Sequence, residues 1–315
     1  MNKKFLLIVF FILVLFCTAC SKIPKLEFAQ AGIDLSQDFD AIINNLSDEQ
    51  MDIFGKPQPV YKIIRNKADQ NLLKKIGDIF DMSLETKKTN VFYDEYSTQD
   101  KSLHFSSNTS FSYSYTPQGY ENVPITIDDD TLIKQATAFL QEHGLLPSDF
   151  VYSGMGRGEL EYGDSHSHVY EKTVGFKRLL NGHTVIGNSH INVGFYQNSI
   201  SSLSVQYNEY KDKKNVNTVS YEKAIAQLKE PDIIFEYDAE KITAKPNTIE
   251  LSNAEIVYVD HAYDKNAKYI QPAYRFKGTI SDIEGHRSDF SAVVRAVSEN
   301  YLNENGTYDY YKFNA

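Results

Sequence analysis

The sequence predicts an α+β protein in which short helices each pack on antiparallel sheets. Two observations carry this. Three segments place apolar residues at i, i+3, i+4 and i+7, and behind each the apolar period changes from 3.6 to 2. The order is helix, then several strands, repeated; it is not the βαβ alternation of a nucleotide-binding sheet.

The first helix is expected near 67–76, with Ala68, Leu72, Leu73 and Ile76 on one face and Gly77 as the C′ residue. The second is expected near 131–143, with Leu132, Ile133, Ala136, Phe139 and Leu140 as its stripe. Asp128, Asp129 and Asp130 suit its N-cap and dipole, and Gly144 stops it. The third begins at Ser220, carries Tyr221, Ala224, Ile225 and Leu228, and ends before Pro231.

Behind the first helix, Phe111, Tyr113 and Tyr115 alternate with Ser110, Ser112 and Ser114. Behind the second come 169–180, 184–196 and 200–210, broken by the hairpin turns Asn181-Gly182 and Asn198-Ser199. Leu203, Val205 and Tyr207 alternate there with Ser202, Ser204 and Gln206. Behind the third come 254–260, 268–280 and 288–297. A division falls near 215, in the polar stretch Lys211-Asp212-Lys213-Lys214-Asn215.

With 315 residues, the chain is long enough for one large domain or two ordinary ones. Its 13% aromatic content excludes wholesale disorder, and a net charge of −10 argues against nucleic acid as a partner.

The N-terminus carries an address. Lys3 and Lys4 precede an apolar run from Phe5 to Phe16, followed by Cys17-Thr18-Ala19-Cys20. Small residues before a cysteine resemble the lipobox of bacterial lipoproteins, although Cys17 stands where that family carries Leu, Val or Ile. The resemblance implies cleavage after residue 19 and lipidation of Cys20, which places the body on the extracytoplasmic face of the cell membrane. The competing reading is an uncleaved signal anchor, for which the apolar run is short. Cleavage removes two lysines and no acids, leaving a net charge of −12 and a body mildly repelled by anionic lipid.

Residues 20–57 suit an acidic stalk, with Pro24, Pro57 and Pro59 in and beside it and a short amphipathic turn around Phe39, Ile42, Ile43 and Leu46. Both cysteines lie at or before the lipidation site, so the mature body has no thiol for a disulfide, for nucleophilic catalysis or for zinc.

Three stretches carry a further resemblance. Tyr221-Glu222-Lys223-Ala224-Ile225 is similar to the helix opening of PepSY-type domains. The run from Val174 to Val185 resembles a hairpin of such proteins, in which Arg-x-x-x-Gly-x-x-Val leads into a strand. Tyr269-Ile270-Gln271-Pro272-Ala273-Tyr274-Arg275-Phe276 resembles a strand of YycH/YycI-type regulators. The resemblance covers roughly 60–297 and implies repeated PepSY-like or YycI-like modules: a YycH/YycI-like domain at 58–214 and a PepSY-like domain at 215–315. It also implies protein–protein contact that modulates a sensor kinase or a peptidase. Those regulators carry a transmembrane anchor, whereas this chain carries a lipobox-like leader.

For chemistry the sequence offers little. His166 and His168 share one strand face, with Glu161, Asp164, His183 and His190 as further ligands, yet they sit in a polar stretch that suits solvated histidines. Gly154-Met155-Gly156-Arg157-Gly158 lacks the following helix of a phosphate loop and suits a flexible bend. Asp260-His261 is half of a triad at a strand end and suits a structural role. Neither a Gly-x-Ser-x-Gly elbow nor a His-Glu-x-x-His helix occurs. Tyr113, Tyr115, Tyr207, Tyr210, Tyr258, Tyr263, Tyr269 and Tyr274 serve either as half-buried sheet residues or as a binding groove.

The expected protein is therefore a non-enzymatic binding or regulatory lipoprotein without cofactor or metal, whose partners are the membrane and an envelope protein. Its expected contact strand is centred on Tyr269, Gln271, Tyr274 and Arg275, where Pro272 marks an edge. The alternatives are a lipoprotein that binds peptide, glycan or metal, and an envelope hydrolase with a carboxylate pair.

Overall fold

The computed structural model describes residues 46–298 except 86, 91, 108, 120–122, 163–165, 188, 198, 231–232, 239 and 261–267. Outside that span it describes the short strands β1 (Ile23–Pro24), β2 (Ile42–Asn44) and β18 (Leu302–Asn303). Cys20 and its leader, Tyr263 and His261 lie outside the described residues.

The protein is mostly β, which corrects the α+β expectation. One mixed sheet of 16 strands runs through the described residues. The three expected helices exist but are short, and they are joined by α1 (Asp48–Met51). α2 (Gln70–Ile79) is capped by the Asp69 carboxylate, which accepts from Asn71 N–H at 2.9 Å. It runs through Gly77 rather than ending there, and the missing side chain at 77 leaves room for Leu84. α3 (Asp129–Glu142) is capped by Asp128, which accepts from Thr131 N–H at 2.8 Å, and Gly144 at φ +63° ends it. α4 (Tyr221–Gln227) starts at the Ser220 cap.

The strands are far more extensive than the helices. β3 (Gln58–Ile64) precedes α2. After it come β4 (Lys87–Thr89), β5 (Asp94–Ser97), β6 (Lys101–Ser107) and β7 (Ser110–Tyr115). Behind α3 run β8 (Phe150–Tyr162), β9 (His166–Leu180), β10 (His183–Gly187), β11 (His190–Tyr196), β12 (Ser199–Gln206) and β13 (Glu209–Val216). β14 (Ile234–Tyr237), β15 (Pro246–Asp260), β16 (Tyr269–Asp282) and β17 (Arg287–Arg295) complete the sheet. The Asn181-Gly182 turn takes φ values of +53° and +81°, the left-handed pair that a two-residue hairpin requires.

Two large hydrophobic cores and three smaller clusters lie along this sheet among the described residues. In the first, Leu73 and Ile76 of α2 and Leu132, Ala136 and Leu140 of α3 cover β6, β7, β9, β11 and β12. Phe80 stacks on Tyr113 at 3.7 Å between ring centroids. In the second, Ala224 and Leu228 meet Ile249, Tyr274, Phe276 and Phe290. The end of the expected stalk belongs here too: Leu46 is buried, Met51, Ile53 and Phe54 pack on this core, and Phe54 lies 4.3 Å from Tyr274. Ile42 and Ile43 form strand rather than an amphipathic turn, pairing in parallel with Thr248 and Ile249.

Separate sheets were expected for each module. The chain instead joins them in two places. β10 pairs antiparallel with β9 and parallel with β15, Val185 facing Tyr258. β3 pairs with β13 along its length and with the start of β16. Both links depend on partners more than 50 residues apart, which periodicity does not encode.

Candidate functional site

The strand expected to form a contact edge lies inside the sheet. β16 pairs with β15 from Gln271 to Asp282, while its other side pairs first with β3 and then with β17. Pro272 falls where that second neighbour changes, between Ile270↔Tyr61 and Ala273↔Arg295. A residue without an N–H is tolerated at such a gap as well as at an edge. Tyr274 and Gln271 are buried. Tyr274 O–H donates to Thr218 Oγ1 at 2.7 Å, and Thr218 Oγ1 donates to the Lys56 carbonyl at 2.8 Å, so this tyrosine ties the 55–56 turn to the second core. Arg275 pairs with Glu255 at 2.8 Å, beside Lys277 at 2.7 Å. Tyr269 packs on Val60, Val216 and Val297. The four residues belong to the interior of the fold and its immediate margin, where they cannot form a shared docking surface.

A buried polar network lies between the first core and a smaller cluster of Ile63, Val185, Tyr258 and Ile270. Arg178, at the end of β9, donates from Nε to Asp149 Oδ2 at 2.6 Å and from Nη1 to the Asn208 carbonyl. Its guanidinium lies 4.4 Å from the Tyr210 ring centroid, 5.4 Å from that of Tyr207 and 5.7 Å from that of Phe150. Asn208 Nδ2 donates to Asp260 Oδ1 at 2.8 Å, and Tyr210 O–H donates to Asp260 Oδ2 at 2.6 Å. Burial and the Asp260 carboxylate push the Tyr210 phenol well above its ordinary range. Asp260 therefore accepts from two neutral donors and ties the end of β15 to Asn208 and to Tyr210 of β13. Gly187 pairs with it, and any side chain at 187 would collide with the Asp260 carbonyl. His261, the other half of the Asp260-His261 pair, lies outside the described residues.

Most of the tyrosines fill the sheet. Tyr113, Tyr258 and Tyr274 are buried, and Tyr207, Tyr210 and Tyr269 pack against the cores. Burial pushes Tyr113 up to about 12. Tyr258 O–H donates to the Pro59 carbonyl at 2.9 Å, fastening β15 to β3.

The glycine run 154–158 is strand and not a bend. β8 is a 13-residue strand whose pairing among the described residues is with β9 alone. Gly158 leaves room for the Tyr170 ring, whose carbon would lie 3.1 Å from a Cβ there. Arg157 reaches Asp129 at 2.8 Å, and Lys172 reaches the same carboxylate, also at 2.8 Å, which fixes the start of α3 over β8 and β9. Val151 and Tyr152 are 37% and 43% exposed, two large apolar side chains on an outer strand. The outer strand β13 is built differently. It carries Lys211, Lys213 and Lys214 and a register break at Asp212, whose φ is +54°, and charge and bulges of this kind discourage edge pairing. β8 also has two register breaks, but its first three residues are uncharged and apolar or aromatic.

Among the described residues no group of three His, Cys, Asp or Glu side chains is placed to hold a metal ion. No helix among them is long and apolar enough to cross a membrane. Sequence reading missed β8 as a candidate because its glycines mask the alternation. The signal available was the apolar opening Phe150-Val151-Tyr152.

No protein-family description and no curated protein matches the chain. Among solved structures it is similar to an uncharacterized protein from Eubacterium rectale ATCC 33656, at 11% identity and a TM-score of 0.44. That match covers 82% of this chain and 88% of that one. A likeness at that score carries no argument about function.

Proposed function

We propose that this chain is a lipid-anchored, extracytoplasmic and non-enzymatic binding module that regulates or holds an envelope protein such as a sensor kinase or a peptidase. The lipobox-like leader ending at Cys20 supports the anchor. The observation that carries the binding reading is β8: hydrogen-bonded to β9 alone among the described residues, it presents Val151 and Tyr152 to solvent. An extended segment of a partner adds to such a strand through backbone hydrogen bonds, with side-chain contacts supplying selectivity. Contact through Tyr274 is no part of this reading, because that side chain is buried.

The test is in-cell crosslinking of the anchored protein, followed by capture. One dominant envelope protein is expected with the natural chain and is expected to be lost in Val151→Lys and Tyr152→Lys, which place on β8 the charge that β13 already carries. Undiminished capture by both variants would defeat strand addition at β8, and background capture alone would defeat the regulatory reading.

A further inference from the structure

The charge of this chain is not spread evenly. β13, β3 and the residue before β16 carry Lys62, Lys211, Lys213, Lys214 and Lys268, all exposed, against Glu209 and Asp212. Five cations against two anions make that stretch +3, in a chain whose net charge is −10. Among the described residues none of the five lysines makes an ion pair.

Strand register gathers them. Lys211 stands directly opposite Lys62, Lys62 opposite Tyr269, and Lys214 opposite Val60. Directly opposed residues point to the same face of a sheet. Lys62, Lys211 and Lys214 therefore share one face with the small cluster of Val60, Val216, Val297 and Tyr269. Like charges directly opposite one another destabilise a sheet. Lysines on the outer strand β13 discourage edge pairing, but Lys62 lies on β3, which has neighbours on both sides. Edge protection leaves Lys62 unexplained, whereas an anionic surface laid on this face relieves the pair.

The chain also limits how far this face lies from the proposed anchor. Ile23, three residues after Cys20, pairs with Leu302. Leu302 is four residues beyond Ser298, whose N–H donates to the Asn217 carbonyl at 3.0 Å, beside the Thr218–Val297 bridge. Each residue spans at most about 3.6 Å and paired strands lie about 4.8 Å apart, so Asn217 is within roughly 40 Å of Cys20. A free stalk over 20–57 would instead reach about 130 Å. Lys214 and Lys213 stand three and four residues before Asn217, within reach of the bilayer that holds Cys20.

We propose that this lysine face docks on an anionic lipid bilayer, so that the body lies against the membrane instead of standing off it. The proposal rests on the reading of Cys20 as lipidated. Each lysine near an anionic surface adds its own attraction, while the acidic remainder of the chain turns away, which sets the orientation. β8, hydrogen-bonded to β9, lies several strands from β13 in the sheet order and stays open to a partner.

The test inserts the purified lipidated protein into preformed vesicles of phosphatidylcholine, alone or mixed with phosphatidylglycerol, and follows acetylation of each lysine by mass spectrometry. Lys62, Lys211 and Lys214 are expected to react at least about threefold more slowly in the anionic vesicles, and to recover in about 0.5 M salt. Lys88, exposed on β4 at the far end of the strand order, is expected to react alike in both. In the double variant Lys62→Gln with Lys211→Gln, the protection of Lys214 is expected to fall. Equal labelling in the two kinds of vesicle would overturn this face and leave the anchor intact. Failure to float even with neutral vesicles would defeat the anchor and this proposal together. Protection seen in whole cells but not in pure vesicles would assign the face to an acidic partner protein and likewise overturn it.

Discussion

Replacing Arg178 with alanine tests whether the buried polar network stabilises the fold beside the first core. The side chain is 9% exposed and makes an ion pair, a bond to a backbone carbonyl and contacts with three aromatic rings. Breaking a buried ion pair by removing one partner costs roughly 3–5 kcal/mol. Asp149 is 33% exposed and regains water, which trims the loss. The Asn208 carbonyl, left without its guanidinium, adds to it. The expected cost is therefore about 3 kcal/mol, a fall in melting temperature of about 6–12 °C. Calorimetry against Arg287→Ala reads the difference, because the Arg287–Glu250 pair is exposed on both sides at 56% and 50% and is worth under about 1 kcal/mol. The Arg178 effect is also expected to persist in high salt, where the Arg287 effect fades. Equal shifts for the two variants, or an Arg178 effect abolished by salt, would refute the argument.

The Asp282 turn makes stability depend on pH. Burial pushes that carboxyl up, but bonds from His286 and from the N–H groups of Ala244, His286 and Glu284 outweigh it and hold it at about 2. Its contribution is present above the ordinary carboxylate value and is lost as pH falls toward 2. The Asp282 hydrogen bond raises His286, whose contribution is complete below its ordinary 6.5 and is lost as pH rises through the raised value. The melting-temperature deficit of His286→Ala should thus be larger at pH 5 than at pH 9, and an equal deficit at both would contradict the pairing. Gly278→Ala forces a Cβ into the Glu250 carbonyl and is expected to cost about 1–3 kcal/mol. Gly182→Ala meets open space but must hold φ at +81°, costing about 1 kcal/mol; urea titration that ranks them the other way would disprove the close approach. Cys20→Ser should release the protein or leave its leader uncut, and membrane retention of a processed form would exclude lipidation there. With the leader cut before Cys20 and that cysteine lipidated, as proposed, no thiol remains, so reductant should leave the melting temperature unchanged; a shift beyond error would contradict the proposed cleavage site.

The sequence by itself determined the local elements. The Leu132, Ala136 and Leu140 stripe made α3, the Asp128 cap placed its start, and Asn181-Gly182 made its hairpin. Alternation such as Ser110 to Tyr115 fixed which side chains enter the core, because side chains on a strand point alternately to opposite faces. It also showed the serine faces of β7 and β12, though one strand at a time. Which strands are neighbours was decided by tertiary structure. The parallel match of Val185 with Tyr258 and the wedge of β3 against β16 join two helix-and-strand units into one sheet. That same pairing put Tyr274 inside, where Pro272 had marked an edge. It left β8 outside although its glycines hid it, and it lined up the serines of separate strands into rows. Pairing across such distances depends on the complementarity of whole faces and on the cost of closing long loops, and neither is written in the period of any single segment.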